Sequence, residues 1–296
     1  MNYPPLDIDW EYLLERIERL MDLAEGALEE RLETVTFESE MFEQIMAFRW
    51  QQIGHHGMLL PVLHPDLPEH DELYGLDTTL KRLHDNTAQF VAGHPCNDVL
   101  LWGERGGGKS TAIRALLEPF APHGLRLVEV PREGLFHLPE IADTLRELPW
   151  RFLIFCDDLS FDEHEGAFRG LKALLEGGIE KRPANLVIYA TSNRRHLMPE
   201  RMSDNTGERE IHPEEAIAEK LSLSDRFGIT IAFYPLNQEV FLEIVSHLAR
   251  QRGLRVTRHL REKSLFWARQ RGVLNGRVAK QFLDDYQGRK ALNAKP

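Results

Sequence analysis

In this 296-residue chain, the residues whose types and spacing could do chemistry gather first between Val99 and Thr111. Val99-Leu100-Leu101-Trp102 is an apolar run, Gly103-Glu104-Arg105-Gly106-Gly107-Gly108 is glycine-rich, and Lys109-Ser110-Thr111 opens a stretch that continues to Leu117. Gly103, four residues, then Gly108-Lys109-Ser110 fits the pattern of a phosphate-binding loop. Glycines let backbone N–H groups curl around phosphate oxygens with no Cβ in the way. A helix starting at the loop adds partial positive charge there. Lys109 is placed to reach the β- and γ-phosphates of a nucleotide, and Ser110 to hold Mg²⁺. The competing reading is a chance glycine turn. The strand before the loop and the helical Thr111-Ala112-Ile113-Arg114-Ala115-Leu116-Leu117 after it supply the context that the motif requires.

A second constellation lies 48 residues beyond Lys109. Arg151-Phe152-Leu153-Ile154-Phe155-Cys156 reads as a buried strand ending in Asp157-Asp158. An acid at the carboxyl end of a strand beside a phosphate loop can hold Mg²⁺ through its water shell, which is the role expected of Asp157. Asp158 would lie near an attacking water and could orient or deprotonate it; its other reading is a helix N-cap. Leu186 to Asn193 is a further buried strand with a polar end. Arg194, Arg195, Arg201 and Arg209 follow it.

These residues need elements to position them. Strands are expected at 99–102, 125–130, 151–158, 186–193 and 229–233, with helices at 111–117, 138–148 and 168–175 and one from Pro213 to about Ser222 between them. Such alternation predicts an α/β fold, a parallel sheet covered on both faces. Its strand ends would gather the phosphate loop, Asp157 and Asn193 on one edge, where open α/β sheets bind ligands. Residues 7–53 read as helical. Trp10, Leu13, Leu14, Ile17, Leu20, Met21, Leu23 and Leu28 form one apolar face, and Phe37, Met41, Phe42, Ile45, Met46, Phe48 and Trp50 a second piece. This is either a helical hairpin packed on the main domain or an element that docks a partner or subunit. Residues 54–72, with Pro61, Pro65 and Pro68, read as a linker or covering loop. Their histidines, His55, His56, His64 and His70, lack a tight metal-ligand spacing. A helix from Thr78 to about Gly93 has Asp77 as its expected N-cap. From Pro235 the pattern is only helical, at 237–251, 257–271 and 278–286. The expected division is a helical region at 1–55, an α/β core at 56–234 and a helical bundle at 235–296.

Composition bounds the rest. Apolar content of 42% and charged content of 28% are those of a globular protein. The net charge of −11 argues against a general nucleic-acid coat, but it hides an asymmetry. Residues 1–45 carry 13 carboxylates against 3 arginines, whereas residues 249–296 carry 13 Lys/Arg against Glu262, Asp284 and Asp285. Such ends either attract one another, within a chain or between subunits, or are two solvated helical surfaces. Nucleic-acid handling through the basic end stands as a further reading. Cys96 and Cys156 imply no disulfide framework. The acidic start lacks a secretory pattern and no apolar run approaches membrane-spanning length, so a cytosolic chain without membrane association is expected.

Taken together, these landmarks resemble the AAA+ ATPases over about residues 70–288. Gly103 to Ser110 is similar to the family's Walker A motif, Phe152 to Asp158 to Walker B, and Asn193 to sensor 1. Arg226, in Leu223-Ser224-Asp225-Arg226-Phe227-Gly228, resembles the arginine finger that reaches a neighbouring subunit's γ-phosphate. Gly276-Arg277 resembles the sensor 2 arginine of the lid, and Leu73-Tyr74-Gly75 the segment that contacts adenine. In finer detail, Val99 to Gly103, Cys156 to Phe161, Ala190 to Leu197 and Leu221 to Gly228 resemble a bacterial AAA+ group known as domain of unknown function number 815. The resemblance implies an ATPase using Mg²⁺, a homo-oligomer with shared sites, and a nucleotide between the core and a helical lid. One departure is Asp157-Asp158 where most of the family carries Asp-Glu, the Glu polarising water; Glu163 and Glu165 lie nearby in sequence. The alternatives are a low-turnover, ATP-dependent switch, loader or adaptor holding a protein partner through the N-terminal helices, and the nucleic-acid reading. Arg226 also has a plainer reading, a salt bridge to Asp225 or Glu219.

Overall fold

The computed structural model describes residues 12, 14–22, 39–53, 56–68, 73–160, 166–177, 181–195, 197 and 223–293. The expected helix at 213–222, Arg201 and Arg209, Glu163 and Glu165, His55 and His70, and most of the first 38 residues lie outside them. Two compact units are present, Met1–Met41 and Phe42–Pro296. In the first, residues 14–22 are helical.

The second unit is built on one seven-stranded sheet with the order β2-β1-β4-β5-β6-β3-β7. The strands are β1 (Ala47–Ile53), β2 (His56–Pro61), β3 (Val99–Gly103), β4 (Leu125–Glu129), β5 (Arg151–Cys156), β6 (Leu186–Ser192) and β7 (Ile229–Phe233). Every neighbouring pair is parallel except β1 with β2. The central strands read as continuous apolar runs because helices cover both faces; all seven residues of β6 are buried. Among the described residues, the helices before β7 include α1 (Ser39–Gln44), α2 (Asp77–Val91), α3 (Lys109–Arg114), α4 (Leu117–Phe120), α5 (Leu138–Leu145) and α6 (Gly166–Glu176). Asp98 pins the start of β3 to β6. Its carboxylate accepts two Arg182 bonds at 2.5 and 2.7 Å and the Ile188 N–H at 2.7 Å.

The helical expectation for residues 7–53 is corrected at its end, where β1 begins at Ala47 and pairs in parallel with β4. The period changes inside that window. Met41, Phe42, Ile45 and Met46 follow helical spacing, but Phe48 and Trp50 are buried while Arg49 and Gln51 are exposed, the period of a strand. The stretch 54–72 is likewise not wholly loop, since β2 forms a hairpin with β1. Asp77 is the first residue of α2 rather than its cap; the cap is Leu76, without a side-chain bond. The helix after the phosphate loop breaks into α3 and α4.

After β7 come α7 (Gln238–Gln251), α8 (Arg258–Arg271) and α9 (Gly276–Asn293). Asn237 and Thr257 cap α7 and α8, accepting from Val240 and Leu260 N–H. Such caps contribute about 1 kcal/mol each. These helices enclose a core of their own, including Phe241, Val245, Leu260, Phe282 and Leu283. The sheet has another, including Leu101, Ile113, Leu153 and Val187. No helix among the described residues is long and apolar enough to cross a membrane.

Candidate nucleotide site

The ends of four adjacent strands, β4, β5, β6 and β3, deliver the polar residues to one edge of the sheet. Gly103 closes β3 at φ +137°, and a Cβ there would lie 2.0 Å from the Phe233 carbonyl oxygen. Only glycine lets the loop leave the sheet so close to β7. Gly106 has φ +80°, and a Cβ on it would meet the Asn275 amide at 2.6 Å.

Lys109, at the start of α3, is almost fully buried. Its ammonium donates to the carbonyls of Gly103 (2.7 Å) and Glu104 (2.8 Å) and to Asn193 Oδ1 (3.2 Å). Glu104 thus serves the site through its main-chain oxygen. Burial pulls the Lys109 pKa down, and the carboxylates of Asp158 and Asp157 oppose that shift. Ser110 Oγ donates to Asp157 Oδ1 at 2.7 Å, and Thr191 Oγ1 donates to the same oxygen at 2.5 Å. Thr191 Oγ1 also accepts the Asp158 N–H at 2.9 Å. Asp158 has φ +52°, the one non-glycine residue with positive φ among the described residues. Asp tolerates that region better than most residues, and such strain gathers at functional sites. Both its oxygens are engaged: Asn193 Nδ2 donates to Oδ1, and Arg105 donates to Oδ2 at 3.1 Å. The N-cap reading of Asp158 is corrected, because Leu159 and Ser160 are not helical and α6 is described from Gly166.

Facing this polar cluster is a cleft of about 480 Å³, within the usual range for small-molecule sites. Tyr74, Gly75, Gly106, Gly107, Gly108, Ser110, Thr111 and Asp157 line it, and α9 contributes Arg277. Leu236, Val240, Ile244 and Leu248 form an apolar wall from the lid. The Tyr74 ring lies 4.9 Å from that of His247 on α7.

The sequence singled out most of these groups but missed three. Thr191 bridges Asp157 and the Asp158 N–H, and its only signal is a hydroxyl at the end of an apolar strand. Glu129 ends β4, lines the cleft and pairs with Arg49 of β1 at 2.7 Å. Asn275 accepts the Val278 N–H as the cap of α9 and donates to the Arg105 carbonyl at 2.9 Å. An Asn directly before Gly276-Arg277 carries the signal of a helix start. Arg226 is not brought to this cluster. It precedes β7, whose start pairs with the start of β3, so it lies at the opposite edge of the sheet from the loop. A five-residue strand spans about 17 Å. Its partner is Glu176 at 3.2 Å, not Asp225; Glu219 lies outside the described residues.

The donor set fits a magnesium nucleotide. A buried ammonium faces a glycine loop whose carbonyls alone hold it with Asn193, and a hydroxyl and a carboxylate meet at 2.7 Å beside it. Hard oxygen ligands of this kind suit Mg²⁺.

The profile of the family described as a protein of unknown function, DUF815, matches residues 43–290. No curated protein matches the chain. Among solved structures, the Orc1 protein of Aeropyrum pernix in complex with DNA aligns with a TM-score of 0.51 at 15% identity, covering 73% of this chain and 58% of that one. A mutant of RuvB from Thermotoga maritima aligns with a TM-score of 0.47 at 17% identity, covering 70% of this chain and 60% of that one. Cdc6p from Pyrobaculum aerophilum aligns with a TM-score of 0.43 at 16% identity, over 64% of this chain and 52% of that one. The chain therefore spans less than two thirds of each of these proteins. At such identity the Orc1 likeness speaks for the fold, which is the AAA+ P-loop fold that the sequence landmarks led us to expect.

Proposed function

The chain belongs to the DUF815 family, and we propose that it is an AAA+ ATPase that binds Mg-ATP between the sheet edge and the helical lid and hydrolyses it at contacts between subunits. The observation that carries this reading is the gathering of Lys109, Ser110, Asp157, Asp158 and Asn193 at one sheet edge, where Ser110 and Asp157 line the cleft, with Arg226 at the far edge of the same sheet. Lys109 and the loop N–H groups bind the β- and γ-phosphates. Ser110 and Asp157 hold Mg²⁺, which offsets phosphate charge when bound. Asp158 takes the proton of the attacking water, and Asn193 and Arg277 meet the γ-phosphate. Tyr74, Gly75 and the lid's apolar wall receive the base. Arg226 completes the site of a neighbouring copy, which makes the active form a homo-oligomer. ATP turnover there drives a conformational change in a protein partner.

Steady-state ATP hydrolysis measured across protein concentration, with sedimentation under the same conditions, tests this. Specific activity should climb as an ATP-dependent oligomer forms. A rate that stays proportional to protein while the chain remains monomeric would remove the shared site.

A second reading, a low-turnover switch that holds a partner in its ATP-bound state, draws support from Asp158. That side chain is one carbon shorter than the usual glutamate, and both its oxygens are occupied by Arg105 and Asn193. Tight ATP binding with negligible turnover in the assembled state would favour it.

A further inference from the structure

The lid's outward surface carries a charge pattern that the ATP site does not use. Between residues 249 and 293 there are twelve Lys and Arg, of which Arg277 and Lys280 line the ATP cleft, and three carboxylates. All three carboxylates are already paired: Glu262 with Arg258 at 2.8 Å, Asp284 with Arg252 at 2.7 Å, and Asp285 with Arg289 at 2.9 Å. Arg255, Arg261, Lys263 and Arg269 are exposed and pair with no carboxylate among the described residues. Three of them stand on α8, a helix about 20 Å long. Its buried stripe is Leu260, Ser264 and Ala268. On the opposite face Phe266, 63% exposed, sits between Lys263 and Arg269. The Arg271 guanidinium stacks at 3.8 Å on Trp267, and the Lys263 ammonium lies 5.9 Å from the Tyr286 ring.

Three kinds of anionic partner could meet such a face, and the composition separates them. A protein interface needs an apolar centre, and its core is depleted in lysine; here Phe266 stands alone among charges. An anionic membrane needs several large apolar residues on one face. A nucleic-acid strand needs a row of cations for its phosphates and an aromatic ring on which a base can stack. The excess of arginine over lysine also suits phosphate, which the guanidinium fork grips with two bonds. The geometry points to α8 as a binding surface for single-stranded nucleic acid, with Lys263 and Arg269, three residues to either side of Phe266, along the phosphates and Phe266 under an unpaired base. The field is local, for the chain as a whole carries −11 and repels polyanions elsewhere.

The test uses the full-length chain without ATP and a fluorescent single strand of about 20 nucleotides, read by anisotropy between about 50 and 200 mM salt. Affinity should fall steeply with salt. The double variant Lys263→Glu/Arg269→Glu should weaken binding more than about tenfold and flatten the salt slope by about two. Phe266→Ala should weaken it several-fold, and more for the single strand than for its duplex. Reversal of the exposed Lys81 and Arg82 on α2 should change little, and melting temperatures show that each variant folds. Lack of binding at the lowest salt, or binding that the α8 reversal leaves intact, overturns the proposal. So does a wild-type chain that ignores the strand but self-associates in a way the reversal abolishes, since the face would then belong to an acidic stretch such as residues 1–45 of another copy. Because no ATP is present, failure of the ATPase reading leaves this result untouched, and the reverse holds as well.

Discussion

The two walls of the cleft are built on different principles. On the strand-end wall, Ser110 and Asp157 line the cleft, and with Lys109, Asp158, Thr191 and Asn193 behind them they bond to one another or to the loop's own carbonyls. Their positions are set by parallel strands whose register is fixed along their length. On the lid wall, Leu236, Val240, Ile244 and Leu248 present apolar side chains from a bundle with a hydrophobic core separate from the sheet's. Asn275 joins the two through one bond to Arg105. A wall interlocked by directional bonds can hold reacting groups in place before substrate arrives. A wall that packs by area can close and open without breaking such a network. Under the proposed function, the division of labour is chemistry on the strands and gating on the lid.

That contrast can be broken by substitution. The largest effect is expected at Lys109→Ala, which removes the buried cation of the rigid wall and should weaken ATP binding by about 100-fold or more by calorimetry, the scale of ~3 kcal/mol; unchanged affinity would sink the site assignment. Arg226→Ala comes next, because the proposed function puts Arg226 at the strand-end wall of another copy. Binding should persist while kcat of the oligomer drops about a thousandfold, and full activity would exclude the finger. Thr191→Val keeps the shape but strips the hydroxyl that bridges Asp157 and the Asp158 N–H. It should cost about 1–3 kcal/mol in urea unfolding and slow turnover about tenfold; a neutral result would mean that the network is not rigid. The smallest effect is expected on the lid side. Asn275→Ala removes the α9 cap, worth about 1 kcal/mol, and the link to the loop. Amide exchange should quicken in α9 but not in β3, with ATP affinity falling only a few-fold. If this variant matched Lys109→Ala, the two walls would be one rigid body and the comparison would fail.

Much of this was legible in the sequence, and the pattern of what was not is instructive. The phosphate loop, Asp157 and Asn193 each sit at the end of a short apolar run, and parallel strands put those ends together. The lid helices were legible from apolar spacing, with Asn237 and Thr257, the expected first residues, standing as the caps of α7 and α8. The hairpin of β1 and β2 was not legible, because the apolar period switches from helix to strand between Met46 and Phe48 while the sequence around it stays amphipathic. Its partner β4 is also about 80 residues away, as the Arg49–Glu129 contact shows.

By itself, then, the sequence determined that a glycine loop and the polar ends of apolar strands would meet on one edge of a parallel sheet, since loop chemistry and strand period are local properties. Only the tertiary structure decided that Thr191 joins Asp157 to Asp158 across 34 residues, and that Asn275 ties lid to loop across 170. It also placed Arg226 against Glu176, at the edge opposite the cleft. Those pairings depend on which strands become neighbours and which way they run, and no local pattern carries that information.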